Sequence, residues 1–309
     1  MPGRNAMDAP KEIRVRVPAS SANLGPGFDA LALALDLPLR CTLRPSPGGL
    51  RIRATGTDAA AIPQDESNLV WKTFSQLAGN KAGHDFTLEI ANQIPLGRGL
   101  GSSAAAIVAG LALADAWMGF HSGRQRLVEL ATGLEGHPDN VAAAVLGGLV
   151  ASCQTEDGRV LTAPLGVPKE ITVVVVVPEL RLSTEAARAV LPPQYSRADA
   201  VFNVQRAALF LAALESGRWE LLREAMRDRL HQPFRASLIP GLAEALQLEN
   251  VPGLLGVALS GAGPSVIALC RGPAEPAGEA ISACFRRREI FCETKILSID
   301  SQGLFLEAD

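Results

Sequence analysis

Pro95-Leu96-Gly97-Arg98-Gly99-Leu100-Gly101-Ser102-Ser103-Ala104-Ala105 is the stretch whose reading decides the fold of this chain. Glycines let backbone approach a bound group closely. A helix starting directly after such a loop presents unpaired N–H donors and the positive end of its dipole. Residues 102–117 are dense in Ala and Leu, which predicts a helix that is apolar on every side and therefore buried. Ser102 and Ser103 add hydroxyls able to reach phosphate oxygens or a magnesium ion, and serine also caps helices well. Alone, the loop reads either as a phosphate cradle or as a turn capping a core helix. Two better-known phosphate loops are excluded. A P-loop needs a terminal lysine, and residues 95–105 contain none. A dinucleotide fingerprint spaced from Gly97 and Gly99 would need its third glycine where Ser102 stands.

Outward from this stretch, the chain has the material for a large core. It is 309 residues long and 48% hydrophobic, a length that suits two domains or one large one. Its 29 basic and 32 acidic residues nearly balance, at a net charge of −3, which argues against a nucleic-acid or polybasic membrane surface. Cys41, Cys153, Cys270, Cys284 and Cys292 form no CxxC pair, and their odd number and apolar settings suggest buried, reduced thiols. Residues 1–11 are polar and lack the apolar core of a signal peptide. The uncharged stretch 99–114 falls short of the roughly 20 residues a membrane span needs. A soluble, cytoplasmic protein is expected.

Strands are expected at 13–17, 39–43, 50–52, 86–90, 149–152, 171–177, 255–259, 289–293 and 296–298. Helices are expected at 68–77, 102–117, 124–132, from Pro138 to the Gly147-Gly148 pair, and at 183–191, 198–215, 219–229 and 276–286. Residues 18–27, 95–101 and 260–264 read as loops. The mixed order implies an α+β fold. The Pro/Gly-rich stretch 162–168 suggests a division into residues 1–165 and 166–309.

Two further glycine-bearing loops stand near the ends of the chain. One is Val17-Pro18-Ala19-Ser20-Ser21-Ala22-Asn23-Leu24-Gly25-Pro26-Gly27-Phe28-Asp29, the other Leu259-Ser260-Gly261-Ala262-Gly263-Pro264-Ser265. With Pro95–Ala105 between them, they resemble the three ordered motifs of the GHMP kinase superfamily, and the wording of the first resembles its homoserine kinase branch. The resemblance spans nearly the whole chain, with departures at Ala32 and Ala143, where a glycine and a proline are frequent. It implies a two-domain α+β kinase, commonly a dimer. Such an enzyme uses ATP and Mg2+ to phosphorylate the side-chain hydroxyl of L-homoserine, a step of threonine biosynthesis.

Site residues follow from the same resemblance. Residues 95–105 (Pro95, Leu96, Gly97, Arg98, Gly99, Leu100, Gly101, Ser102, Ser103, Ala104 and Ala105) and Asn68 would border the nucleotide. Glu135 with Ser102 or Ser103 would hold magnesium, which is satisfied by one or two carboxylates plus phosphate and water. Asn23, Asp29, His137, Thr184, Arg188, Arg235 and Gly261 would bind the amino acid. Asp29 suits an ammonium group, and the arginines suit a carboxylate. Asp139 and Asn140 would flank the reacting hydroxyl, with alignment rather than proton abstraction as the main contribution. Without the resemblance the same residues read as an Asx-turn (Asn23), a helix cap (Asp29), a solvated helix-end carboxylate (Glu135) and a capping or packing histidine (His137). Two other readings stay open: a kinase of this superfamily acting on mevalonate or a sugar, and a relative that binds without turnover.

Overall fold

Ile13, Val15 and Val17 alternate with Arg14 and Arg16, so this segment starts as a strand with one buried face. The computed structural model describes residues 12–79 and 85–308; the tail 1–11, read above for a targeting signal, lies outside the described residues. β1 (Ile13–Asn23) and β2 (Gly27–Pro45) form one long antiparallel hairpin, so residues 18–27, expected as a loop, are mostly strand. Pro18 faces Pro38, and the register shifts just after it. Proline cannot donate to the ladder, so the ribbon is irregular at this point and then continues.

β3 (Arg51–Gly56), β4 (Phe86–Asn92), β5 (Leu149–Gln154) and β6 (Val160–Leu165) extend this sheet, with β4 beside β2 and β5 pairing β2 farther along. β6 occupies part of the stretch expected as a linker. α1 (Leu69–Ala78), α2 (Ser102–Met118), α3 (Gly123–Glu135) and α4 (Asp139–Leu146) accompany it, with α2 and α4 against β1 and β2. α2 is buried from Ala104 to Ala114 except at Ala106, as an all-apolar helix must be. A cluster of Trp71, Phe74, Phe86 and Trp117 rings clamps α1 and α2 to β4.

The second sheet holds β7 (Ile171–Pro178), β8 (Leu254–Leu259), β9 (Val266–Arg271) and β10 (Cys292–Leu297) in the order β10-β7-β9-β8, all antiparallel. Its center is the run Val173–Val177. Val173, Val175 and Val177 join the large core shared with β1 and α2, whereas Val174 and Val176 join a second core with Ile281 and Phe285. Alternate side chains of a strand point to opposite faces, so an unbroken valine run is what two-sided burial requires. α5 (Thr184–Ala189), α6 (Arg197–Ser216), α7 (Leu222–Ala225), α8 (Gln232–Arg235) and α9 (Leu242–Ala245) precede or flank β8, and α10 (Glu275–Arg286) packs on β7, β9 and β10.

Several expectations are corrected. Residues 219–229 are not one helix: a 3-10 turn leads into α7, and the Asp228 carboxylate then takes the N–H groups of Leu230, His231 and Gln232 and starts α8. Residues 289–298 hold one strand, β10, because its pairing with β7 begins only at Cys292. Cys153 is exposed, whereas Cys41, Cys270 and Cys284 are buried. Burial pushes the Cys41 thiol up to about 12 and Cys270 to about 11, so both are inert. Among the described residues, no helix is long and apolar enough to cross a membrane.

The final strand β11 (Phe305–Ala308) returns to the first sheet and pairs with β1, so the end of the chain does not stay with the half 166–309. Asp300 ties this return. It is 5% exposed and accepts from Arg16 Nη1 (2.5 Å), Gly303 N (2.7 Å) and Gln302 N (3.0 Å). Asp300→Ala should lower stability by about 2–3 kcal/mol, since it removes charge-assisted bonds and strips Arg16 of one of two carboxylates. The denaturant midpoint should fall with an unchanged m value; an unchanged midpoint would contradict the role given to Asp300.

Candidate active site

α2 begins without a side-chain cap. Its N-cap is Gly101, and the first intrahelical bond runs from Ala105 N to Gly101 O (2.9 Å). The N–H groups of Ser102, Ser103 and Ala104 therefore have no acceptor within the helix. The loop before it is packed too closely for side chains. Gly99 and Gly101 have φ of 76° and 67°, and a Cβ would stand 2.2 Å from Ser260 O at Gly99 and 2.1 Å from Ser20 Oγ at Gly101. Ser20 belongs to the first motif and Ser260 to the third, so the two glycines are where all three motifs meet. Ser20 N donates to Leu100 O (3.1 Å), Gly261 N to Ala22 O (3.0 Å) and Ser265 N to Arg98 O (3.2 Å). Ser260 Oγ donates to Gly99 O (2.7 Å) and lies 2.8 Å from Ser21 Oγ.

This junction gathers Asn23, Asp29, Ser102, Ser103, Glu135, His137, Asp139, Asn140, Thr184, Arg188, Arg235 and Gly261 around one cavity of about 210 Å3. A second, mostly apolar cavity of about 240 Å3 adjoins it, lined by Leu39, Ile62, Pro63, Asn68, Val70, Ile90 and Leu96 and sharing Ser102 and Ser103. A larger concavity, about 1030 Å3 beside α7, α9 and β8, is lined by none of the expected residues.

At one end of the first cavity lie the charges expected to bind an amino acid. Arg188 donates to both oxygens of Asp29, at 3.0 and 2.8 Å, so the two groups expected to hold opposite ends of a ligand hold each other here. That pairing raises the Arg188 pKa. Arg235 is 2% exposed; its Nε donates to Ala187 O (3.1 Å), and Nη1 to Gly261 O (2.9 Å) and toward His231 Nδ1 (3.2 Å). Nη2 has no partner among the described residues. Burial, with Arg188 nearby, pulls Arg235 down to about 10, still cationic at neutral pH. Both guanidiniums lie near the Phe28 ring, at 5.6 and 5.4 Å. Asn23 is largely spent on the protein, because its Oδ1 accepts from Asp29 N (3.0 Å) and its Nδ2 donates to Gly261 O (3.0 Å). The carbonyl of Gly261 is filled by Asn23 and Arg235, which leaves it no further role as an acceptor.

At the other end, Ser103 Oγ donates to Glu135 Oε2 at 2.8 Å. His137 Nδ1 lies 2.8 Å from Asp139 Oδ1, and the same oxygen accepts from Asn140 N at 2.7 Å. The hydrogen bond to Asp139 raises the His137 pKa against the opposing effect of burial. Asn140 Oδ1 accepts from Ser20 Oγ (2.9 Å), so its Nδ2 is the group left toward the cavity. Among the described residues no cluster of three or more His, Cys, Asp or Glu could hold a metal unaided. Glu135 with the Ser102 and Ser103 hydroxyls is an oxygen-only set, which fits a hard cation completed by phosphate and water.

Other expected residues contribute less than the motif suggested. Arg98 turns its guanidinium to Pro178 O, outside both cavities, so it offers the loop only its backbone. Pro95, Ala104 and Ala105 line neither cavity, and the Ala105 N–H is consumed within the helix. Leu96 lines the second cavity, its N–H held by Asp58 Oδ2 at 2.9 Å. Asn68 caps α1, accepting from Val70 N (3.0 Å) and Trp71 N (3.3 Å) and donating to Pro63 O (2.7 Å), so it is a wall with no spare acceptor. Sequence reasoning missed Ser20, Ser21 and Ser260, although all three lie inside the quoted motifs. It also missed Phe28 and His231.

Comparisons with known proteins show the family. Residues 68–148 match the family model described as GHMP kinases N terminal domain, and residues 210–287 match GHMP kinases C terminal. The chain is 48% identical to a homoserine kinase of Solibacter usitatus over 94% of its own length and 96% of that protein's, and 44% identical to one of Moorella thermoacetica over 94% and 98%. A crystal structure of homoserine kinase from Cytophaga hutchinsonii superposes with a TM-score of 0.85 at 28% identity, covering 99% of this chain and all of that one. An uncapped helix start facing a carboxylate–guanidinium end, in a chain with these likenesses, makes it a member of the homoserine kinase family within the GHMP kinases.

Proposed function

We propose that this chain transfers the γ-phosphoryl group of ATP to the side-chain hydroxyl of L-homoserine, giving O-phospho-L-homoserine for threonine biosynthesis. The observation that carries this reading is the single cavity joining the free N–H groups of α2 to the Asp29, Arg188 and Arg235 charges. The half 1–165 would take the nucleotide, with the base in the apolar cavity by Leu39 and Ile62 and the phosphates over Gly97–Ser103. Thr184, Arg188 and Arg235 would come from the half 166–309. We further propose a cytoplasmic homodimer with no nucleic-acid or membrane partner, as the resemblance implies.

Phosphoryl transfer asks a protein mainly for positioning and for charge stabilisation. The free N–H groups of Ser102 and Ser103, which line the cavity, would face the charge that builds on the transferring phosphoryl oxygens. Glu135 and the Ser102 and Ser103 hydroxyls would hold magnesium, whose charge offsets that of the phosphates when bound. Asp29 would accept from the ammonium of homoserine, and Arg188 and Arg235 would take its carboxylate. Asn140 Nδ2 would orient the hydroxyl. Asp139 is poorly suited to be a base, because it is 2% exposed and its Oδ1 already serves His137 and Asn140. We assign it to holding those two residues in place.

ADP release should be supported by L-homoserine and not by mevalonate or galactose, whose lack of an ammonium leaves Asp29 unmatched. No ADP with any hydroxyl acceptor would favor a binding protein without turnover. Arg235→Met should raise KM for L-homoserine by about 10–100-fold while leaving KM for ATP unchanged. Glu135→Gln should lower kcat by about 100-fold and raise the magnesium concentration needed for half-maximal rate. Asp139→Asn, which keeps an acceptor oxygen, should stay within about tenfold of the parent kcat; a loss of about 1000-fold would make Asp139 a general base.

A further inference from the structure

His231 is the fully buried residue behind Arg235, and no motif singles it out. It stands in the N-cap position of α8, one turn before Arg235, and touches both parts of the amino-acid end of the cavity. Nε2 lies 2.7 Å from Gly25 O, in the turn that leads into the start of β2 with Phe28 and Asp29. Nδ1 lies 3.2 Å from Arg235 Nη1. Its ring stacks on Phe28 with centroids 5.1 Å apart and planes at 23°, and Phe28 is the ring that both guanidiniums approach.

The partners determine its protonation. A carbonyl only accepts, so Nε2 must carry a hydrogen toward Gly25. A guanidinium only donates, so Nδ1 must present its lone pair to Arg235. His231 is therefore the neutral Nε2–H tautomer. Burial lowers its pKa in agreement, with Arg235 adding to the effect and Asp228 opposing it. Asp228 lies 3.6 Å from Nε2, too far to accept its hydrogen, and its oxygens are occupied by Asn203 and by the N–H groups of Leu230, His231 and Gln232.

We infer that His231 is a positioning residue for substrate selection: as a neutral acceptor it fixes Arg235 Nη1, leaving Nη2 free for the α-carboxylate of the acceptor, and as a donor to Gly25 it ties that guanidinium to the turn that leads to Asp29. This rests on the proposed reading of Arg235 as a carboxylate ligand. Three hydrogen bonds hold Arg235 among the described residues, to Ala187 O, Gly261 O and His231 Nδ1, and only the last is to a side chain. Without it Nη1 is buried with one carbonyl, and the fork can rotate away from the cavity.

The experiment compares L-homoserine with 3-aminopropan-1-ol, the same alcohol and ammonium without the carboxylate. His231→Leu should raise KM for L-homoserine about tenfold or more, with kcat within about threefold and KM for ATP unchanged. For 3-aminopropan-1-ol, kcat/KM should fall severalfold less than for L-homoserine. His231→Asn, which can place an amide oxygen near Nδ1, should recover most of the L-homoserine KM; His231→Gln, which keeps only the donor toward Gly25, should not. If His231→Leu does not fold, the Asn and Gln pair carries the comparison. The inference is overturned if the penalty is equal for both acceptors, if KM for ATP rises in parallel, or if Asn is no better than Gln. Arg235→Met in the same panel separates the two levels. If it leaves KM for L-homoserine unchanged, the carboxylate reading falls and this inference with it. If it raises that KM and His231→Leu does not, the inference about His231 alone falls.

Discussion

The rest of the structure depends on the absence of two side chains. At Gly99 and Gly101 the backbone of the middle motif touches Ser260 O and Ser20 Oγ at distances no Cβ could share. Segments near the start, the middle and the end of the chain can therefore close on one point, and the Ser20, Ser260 and Gly261 hydrogen bonds then lock them. The start of α2 is fixed at the center of that lock. Its free N–H groups are directed by packing rather than by a capping side chain, which would have consumed one of them.

A second constraint brings the two halves of the cavity together. The valines of β7 serve two cores at once, so the sheet that leads to α5 and α8 is welded to the one that carries β1 and α2. Arg188 and Arg235 reach Asp29 and Phe28 across that weld. The returning strand β11, fastened through Asp300 to Arg16, ties the chain end to β1 as well.

Much of this was legible from residues, and the failures have physical causes. The buried α2, the valine strand and the three motifs were readable because composition and local chemistry agree there. The hairpin through residues 18–27 was not, because Pro, Gly, Ser and Asn resemble a loop until a partner strand supplies the pairing. The break at 219–229 escaped notice because a helical pattern does not reveal that Asp228 will capture the next N–H groups. Asn68 and Arg98 sit in the expected places, yet their polar atoms are claimed by the protein itself, which no local pattern discloses. His231 lies next to a recognisable segment and carries no signal of its own; only the tertiary contact with Arg235 and Gly25 gives it meaning.

The Asp29–Arg188 pair has one more consequence. Both partners are more than a third exposed, so the bond between them contributes on the order of 0–1 kcal/mol and opens readily. Within this pair each charge is the other's counterion. A molecule with one charge that enters must part the pair and leave the other member bare, exchanging one contact for one contact. A zwitterion offers an anion to the arginine and a cation to the aspartate together, so one ion pair becomes two. On the proposed reading, such a rim would discriminate by counting charges before any shape is compared.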